Sequence, residues 1–427
     1  MAEPTPMMRQ YQEIKDRHRD KILFFRLGDF YEMFQSDARE ASRLLGLTLT
    51  HRHGEPMCGI PYHSAQPYIR KLLEAGRSIA VCEQVSVPGA DKGIVKREVV
   101  DVLTPGTLVE DGYLASSAPN FTVCLAFEAD LCALTAADLS TAEVRTTHFR
   151  LQGRTEPLER ELGRFQPREL LVAEGVFESY RFLEALVRGF PQLTVTTLPP
   201  WRFDRKGSYR RLLDHFGVLT LQAFGLEERS PEVVSTGALV EYWQLNSPGR
   251  SLGHLRTLIP YVADQFLQID PNSARSLELT ANTRDGGPAF TLFSVLDRTL
   301  TAPGSRLLRS RLLFPLVNRR DIEARLDGVQ ALVDESELLD EIRTRLAGQL
   351  DVERLSARLA LDKATPRDLL GLEASVGSAL GLAFLTTDRA PTLAPGTVWD
   401  QASRARLGAW AQRQASSLVR DPAPTVH

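Results

Sequence analysis

The sequence predicts a multidomain α/β + α architecture, with two mixed α/β units ahead of a mainly helical one. The 427-residue length is the first reason, because single domains run to about 100–200 residues. Composition is the second: 43% hydrophobic and 25% charged residues suffice for several cores. Periodicity is the third. Short β-rich runs alternate with helix-period stretches up to Thr197, and from Tyr209 the helix period dominates.

The first unit is expected over residues 1–113. Met7–Arg19 reads as a polar helix with Met8, Tyr11 and Ile14 on one face. Ile22–Leu27 is a β-rich run ending at Gly28-Asp29, a turn signal, and Phe30–Phe34 resumes as a strand. Asp37–Leu45 is helical and stops at Gly46; Leu47–Thr50 is a short strand, and His51–Pro56 a loop. Ala65–Ala75 is a helix closed by Gly76, and Gly59–His63 ahead of it reads as a turn. Ser78–Gln84 and Lys96–Leu103 are strands.

The second unit is expected over 119–250. Phe121–Phe127, Leu131–Asp138 and Glu143–Phe149 form three consecutive strand-like runs with tight connections. A helix at Pro157–Phe165 and a strand at Glu169–Ala173 follow. A meander running into αβ alternation is the order of ribonuclease-H-like folds. The third unit, 251–427, is expected to be helical, with long amphipathic stretches at Gln222–Val262 (crossing the boundary), Pro288–Leu313, Asp321–Gly348 and Val352–Ser378.

Several function classes are excluded early. The formal charge of −3, from 51 basic and 54 acidic residues, points to no polyanionic partner. Residues 1–113 alone hold 15 Lys/Arg against 16 Asp/Glu. No apolar run is expected to reach the roughly 18 residues that span a bilayer, and Met1-Ala-Glu-Pro-Thr-Pro6 lacks the features of an export signal. Cys58, Cys82, Cys124 and Cys132 have no CxxC spacing, so reduced thiols in a cytoplasmic protein are expected. Gly-Lys never occurs, which removes the GxxxxGK[ST] nucleotide loop, and there is no HExxH helix. Gly249-Arg-Ser-Leu-Gly253 matches GxSxG in letters only. No resident cofactor or metal is expected. Asp130, Asp138 and Glu143 lie on or near the second unit's strands, where a two-metal nuclease would hold Mg²⁺, but scattered strand carboxylates are usually solvated.

The informative run is Gly28-Asp-Phe-Tyr-Glu-Met-Phe34. Phe30 and Glu32 stand at i and i+2, so on a strand they share a face, continued by Phe34. A core face that takes Phe30 should not take Glu32 unpaired. A partner that is partly aromatic and partly polar resolves the conflict, and a base pair is such a partner.

This run resembles the Phe-x-Glu motif of the MutS family of bacterial DNA mismatch repair proteins. Further segments agree in order: Thr5–Tyr11, Pro56–His63, Val81–Val85, Leu103–Thr107, Ser276–Thr280, Ser294–Leu308, and Leu359-Ala-Leu with Pro366–Leu369. The resemblance implies recognition of mismatched or unpaired bases in duplex DNA. Phe30 would stack on the mispaired base from the minor groove, and Glu32 would contact the displaced base. Leu27, Arg52, Pro56 and Met57 are implied as further DNA contacts. Wedging a ring between base steps costs a few kcal/mol, and less where stacking is already poor. Glu32 repels phosphates, a penalty offset only where a base hydrogen-bonds to it. Towards a purine N7, itself an acceptor, its carboxyl would have to carry the proton.

The resemblance also implies an N-terminal portion: a mismatch-recognition domain, a connector, and a helical core or lever domain truncated before the clamp. ATP and Mg would belong to an ATPase domain not encoded here, so the chain by itself is not expected to be an enzyme. Full-length relatives form homodimers and work with a MutL-type repair partner, in the bacterial cytoplasm and on the nucleoid. The alternatives are a ribonuclease-H-like metal-dependent nuclease and a helical scaffold without activity.

Overall fold

The computed structural model describes residues 5–52, 54–85, 95–389 and 401–417. The first unit is a six-stranded sheet of order β3-β4-β2-β1-β5-β6. Its strands are β1 (Ile22–Leu27), β2 (Phe30–Phe34), β3 (Thr50–Arg52), β4 (Glu55–Pro61), β5 (Ile79–Gln84) and β6 (Arg97–Leu103). Only β1 and β5 run parallel; every other neighbouring pair is antiparallel. Helices α2 (Gln35–Leu45) and α3 (Gln66–Glu74) supply residues to the core on one face, around Phe24, Tyr31, Met33 and Ile60. Helix α1 (Pro6–Arg17) crosses the other face, where Met8, Tyr11 and Ile14 pack on Leu23, Phe25, Phe34, Ala80 and Cys82. Thr5 caps α1 by accepting from Met8 N, and Pro6 fits its first turn.

A buried carboxylate ties these layers together. Asp37 pairs with Lys15 Nζ at 2.8 Å and accepts from Leu23 N at 2.9 Å. Tyr11 donates its hydroxyl to Phe34 O and Asp37 Oδ2, at 3.3 and 3.4 Å. Burial, with Asp37 alongside, holds the Tyr11 hydroxyl well above the usual range.

The second unit is a six-stranded sheet of order β11-β10-β7-β8-β9-β12. Strands β7 (Thr122–Glu128), β8 (Leu131–Asp138) and β9 (Glu143–Arg150) form an antiparallel meander. β10 (Glu169–Ala173) runs parallel to β7, β11 (Thr194–Leu198) parallel to β10, and β12 (Ile259–Pro260) parallel to β9. Helix α4 (Glu156–Phe165) joins the aromatic core of one face with Phe121, Leu158, Phe165 and Phe314. Two short helices, α5 (Val176–Ser179) and α6 (Phe182–Arg188), extend it. Helices α7 (Arg205–Phe216) and α8 (Glu232–Asn246) close the other core, which is centred on Trp243.

The buried segment after β6 fastens the first unit to the second. Glu169, fully buried, accepts from the Thr104 hydroxyl at 2.6 Å and from Gly106 N at 3.1 Å. It also accepts from Thr196 and Tyr242, both at 2.6 Å. A Cβ on Gly106 would lie 2.1 Å from Thr122 Oγ1, so only glycine fits this crossing. From the third unit, Lys363 and Arg358 reach Asp101 and Asp111 at 2.5 and 2.7 Å.

Helices of the third unit are shorter than the periodicity predicts. Pro288–Leu313 divides into α10 (Leu292–Leu296) and α11 (Ala302–Leu313), after a short α9 (Pro271–Ser276). Thr301 caps α11 by accepting from Gly304 N, starting a new helix where one was expected to continue. Asp321–Gly348 divides into α12 (Arg319–Asp334) and α13 (Ser336–Leu346) at Glu335. Val352–Ser378 divides into α14 (Val352–Ala360) and α15 (Pro366–Arg389), because Asp362 takes a positive φ of 53° and Pro366 opens the next helix. Of Gln222–Val262 only α8 is a long helix; Pro231 precedes it and Pro248-Gly249 follows. The last helix, α16, is Gln401–Ser417.

Two other expectations need correction. Residues 51–56 are not a loop: β3 and β4 form a hairpin, with Thr50 opposite Met57 and Arg52 opposite Glu55, turned at Gly54 with φ 84°. Gly59–Pro61 belongs to β4, leaving only Tyr62–Ser64 as a helical turn. One apolar run is also longer than expected. Helix residues Pro366–Thr386, with mean hydropathy 1.6, are long and apolar enough to cross a membrane by length and composition alone. One side of this helix meets α13 and the turn that follows it. Gly371 sits under Leu350 and Gly381 under Arg345, and Ser375 and Ser378 bond to that segment.

Candidate functional site

Strand β2 carries the motif run, and its alternation divides it between two environments. Tyr31 and Met33 point into the α2/α3 core. Phe34 points the other way and is fully buried beneath α1, its ring 5.0 Å from Tyr11. Phe30 and Glu32 share that second face, but α1 does not extend over them. Phe30 is 46% exposed.

The pairing of β2 with β4 places Gly59 opposite Glu32, Pro61 opposite Phe30 and Met57 opposite Phe34. A Cβ on Gly59 would stand 3.5 Å from Glu32 Cγ and 3.8 Å from Phe30 Cδ1. Glycine there leaves room between ring and carboxylate. Leu27 stands opposite Phe30 on β1 and, with Met57, packs at the edge of the α1 core.

Glu32 is not alone. Both carboxylate oxygens accept from Arg52 Nη1, at 2.7 and 2.6 Å. The side chains are 12% exposed for Glu32 and 40% for Arg52. The hairpin register brings Arg52 onto the same face as Met57. Of the expected site residues, Phe30, Glu32, Leu27, Met57 and Arg52 therefore share one face. Pro56 does not: by alternation it lies on the opposite side, with the buried Cys58 and Ile60.

The turn holding Phe30 is stiffened by contacts that sequence reading did not anticipate. Gly28 adopts φ 57° between the paired Leu27 and Phe30. Arg26 lies 3.4 Å over the Tyr62 ring and donates Nε to Gly28 O at 2.5 Å. Tyr31 donates to Glu83, and Arg26 stands 3.6 Å from the same carboxylate. Phe30 is thus an exposed ring on a rigid rim. The signal for Arg26 was a cation four residues before the motif phenylalanine, facing Tyr62.

The carboxylates of the second sheet are used locally. Asp138 accepts from Asn120 N, Ser140 N and the Ser140 hydroxyl. Glu143 pairs with Arg145 at 2.6 Å and Asp130 accepts from Gln152 N. No group of three or more His, Cys, Asp or Glu that could hold a metal occurs among the described residues. All four cysteines are free and buried; burial pushes the Cys58 thiol up to about 11.

These features define a multidomain chain with two mixed α/β units, a helical region, and an aromatic–carboxylate surface site on the bare end of the first sheet. Comparison with known proteins identifies the class further. Residues 5–112 match MutS domain I, 120–256 match MutS domain II, and 272–416 match MutS domain III. The chain belongs to the MutS family. It is 39% identical over 396 residues to the DNA mismatch repair protein MutS of Treponema denticola, covering 90% of this chain and 44% of that one. The MutS proteins of Desulfosudis oleivorans and Desulfatibacillum aliphaticivorans are 39% and 40% identical, with 89% and 87% of this chain covered. The chain spans less than half the length of these relatives, 42% to 44%.

Proposed function

We propose that this chain recognises mismatched or unpaired bases in duplex DNA at the start of mismatch repair. Phe30 enters the base stack from the minor groove and Glu32 bonds to the displaced base. The observation that carries this reading is the exposure of Phe30 beside a carboxylate on the one end of the β2 face that α1 leaves bare. An exposed ring fixed on a rigid rim loses little entropy on insertion. A mispair is already poorly stacked, so kinking it costs less than kinking paired DNA. Discrimination then rests on deformability, which needs no strongly basic surface. Leu27, Met57 and Arg52 flank the ring as further contacts, and Pro56 contributes through the hairpin's shape.

Residues 1–113 act as the recognition domain, 119–250 as a connector and 251–427 as a helical lever. The meander β9-β8-β7 continued by parallel β10 and β11 supports a ribonuclease-H-like connector. Its carboxylates favour no nuclease, since they are engaged by backbone amides, a serine and an arginine. ATP hydrolysis, dimerisation and a MutL-type partner belong, in this reading, to the longer family proteins acting in the cytoplasm. The test is fluorescence-anisotropy titration of a mismatched and a matched duplex. Phe30→Ala should erase the preference for the mismatched duplex while the fold, followed by circular dichroism, is retained. An unchanged preference overturns the reading.

A further inference from the structure

We infer that Arg52 is the resting counter-ion of Glu32, and that a displaced base takes its place while Arg52 moves to a backbone phosphate. This rests on the mismatch-recognition reading above.

The geometry is specific. One guanidinium nitrogen, Nη1, bridges both oxygens of Glu32 at 2.6–2.7 Å. On β2's two flanks Glu32 meets the fully buried Phe25 and the bare Gly59, neither of which can supply a second cation. Arg52 sits on the last rung of the β3–β4 hairpin before its turn, more exposed than the carboxylate it holds. It is therefore the half of the pair that faces solvent and has room to turn away.

At rest the pair is neutral, so Glu32 repels matched DNA less than a free carboxylate would, while the charge that Arg52 can offer a phosphate is offset by the carboxylate it holds. When a base N–H donates to Glu32, the guanidinium is released beside the DNA. The ion pair then becomes two separate contacts, one to a base and one to phosphate. The pair is half-buried, with its guanidinium side open to solvent, so a base N–H on Glu32 together with a phosphate on Arg52 can replace it. Arg52 is thus a positioning residue whose state reports whether Glu32 is occupied.

The signature is in salt dependence, which counts phosphate contacts. Anisotropy titrations from 50 to 200 mM salt should give a slope steeper by about 0.9 on mismatched than on matched DNA, an extra roughly 3.5-fold loss over that range. Arg52→Gln should bring the two slopes together. Glu32→Gln should free Arg52 on every duplex and raise the matched-DNA slope to the mismatched value. Equal slopes in the unmodified chain overturn the inference. So does an Arg52→Gln loss that is the same on both duplexes with Glu32 present or replaced, which would make Arg52 an ordinary phosphate contact. Retained circular dichroism excludes misfolding. Phe30→Ala separates the two ideas: if that variant keeps its mismatch preference, base insertion fails. The matched-DNA slope of Glu32→Gln still reports on Arg52, because it needs no inserted ring.

Discussion

Phe30 and Phe34 lie four residues apart on the same face of the same strand, and they do opposite things. Phe34 is fully buried against Tyr11 and Phe25, whereas Phe30 is 46% exposed. The difference is the reach of one helix. At 1.5 Å per residue, the 12 residues of α1 extend about 18 Å, enough to cross about four strands 4.8 Å apart. The core beneath it draws on β1, β2, β4, β5 and β6, with Leu27 and Met57 only partly buried at its edge, and Phe30 at the β1–β2 turn lies outside it. A single sheet face is thereby divided into a core and a bare rim. Residue type alone does not tell a phenylalanine buried in a core from one left on a bare rim.

The largest expected effect separates the two rings by stability. Phe34→Ala should cost about 3–5 kcal/mol, and Phe30→Ala no more than about 0.5 kcal/mol. Urea unfolding with hydrogen exchange on the β1 and β2 amides reads both; similar losses would break the comparison. Next comes the gap beside the bare ring. Gly59→Leu fills the space between Phe30 and Glu32 and crowds Tyr31 O, which would be 3.3 Å from the new Cβ. It should cost about 1–3 kcal/mol and abolish the preference for mismatched DNA in anisotropy titrations. Preference retained with Leu at this position would mean that the gap is not used.

A smaller effect tests what fixes the helix that makes the division. Tyr11→Phe removes the bonds to Phe34 O and Asp37 and should lower stability by about 1 kcal/mol, seen as faster exchange of the β2 amides. No change would place the anchoring in apolar contact alone.

The smallest effect is a pH dependence away from the rim. Burial holds His215 and His254, bonded to Leu255 O and Leu139 O, below the ordinary histidine value. His18, beside α1, is lowered in the same way. As pH falls through the ordinary value of about 6.5, the unfolded chain takes up protons first. The stability contributed by the neutral rings is therefore present above that pH and lost as pH drops towards the lowered values. Thermal unfolding midpoints should fall between pH 7.5 and 5.5. His215→Gln with His254→Gln should flatten that fall without removing it, because His18 remains. A midpoint unaffected by pH would contradict the burial of these rings.

Much of the site was legible in the sequence for local reasons. Alternation along Phe30–Phe34 set the two faces correctly, since a strand's period is fixed. The Gly28-Asp29 turn and the α1 face of Met8, Tyr11 and Ile14 were likewise readable. The Arg52–Glu32 pair was not. It joins residues 20 apart through the register of β3 on β4, and taking 51–56 as a loop hid that register. Nor was the side on which Pro56 falls visible, because one residue of register decides it. The long helices were misread for another reason. Amphipathic periodicity runs through Glu335 and through the 361–365 break, and only the backbone angles there interrupt it.

Under the proposed function the bare ring of Phe30 enters the base stack. A 2-aminopurine placed beside the mispair fluoresces more strongly when it is unstacked, so it reports insertion directly at saturating protein. With the unmodified chain its emission should rise on the mismatched duplex and stay flat on the matched one. With Phe30→Ala, at concentrations where anisotropy shows full binding, the rise should vanish. The same rise with Phe30 removed would contradict the account.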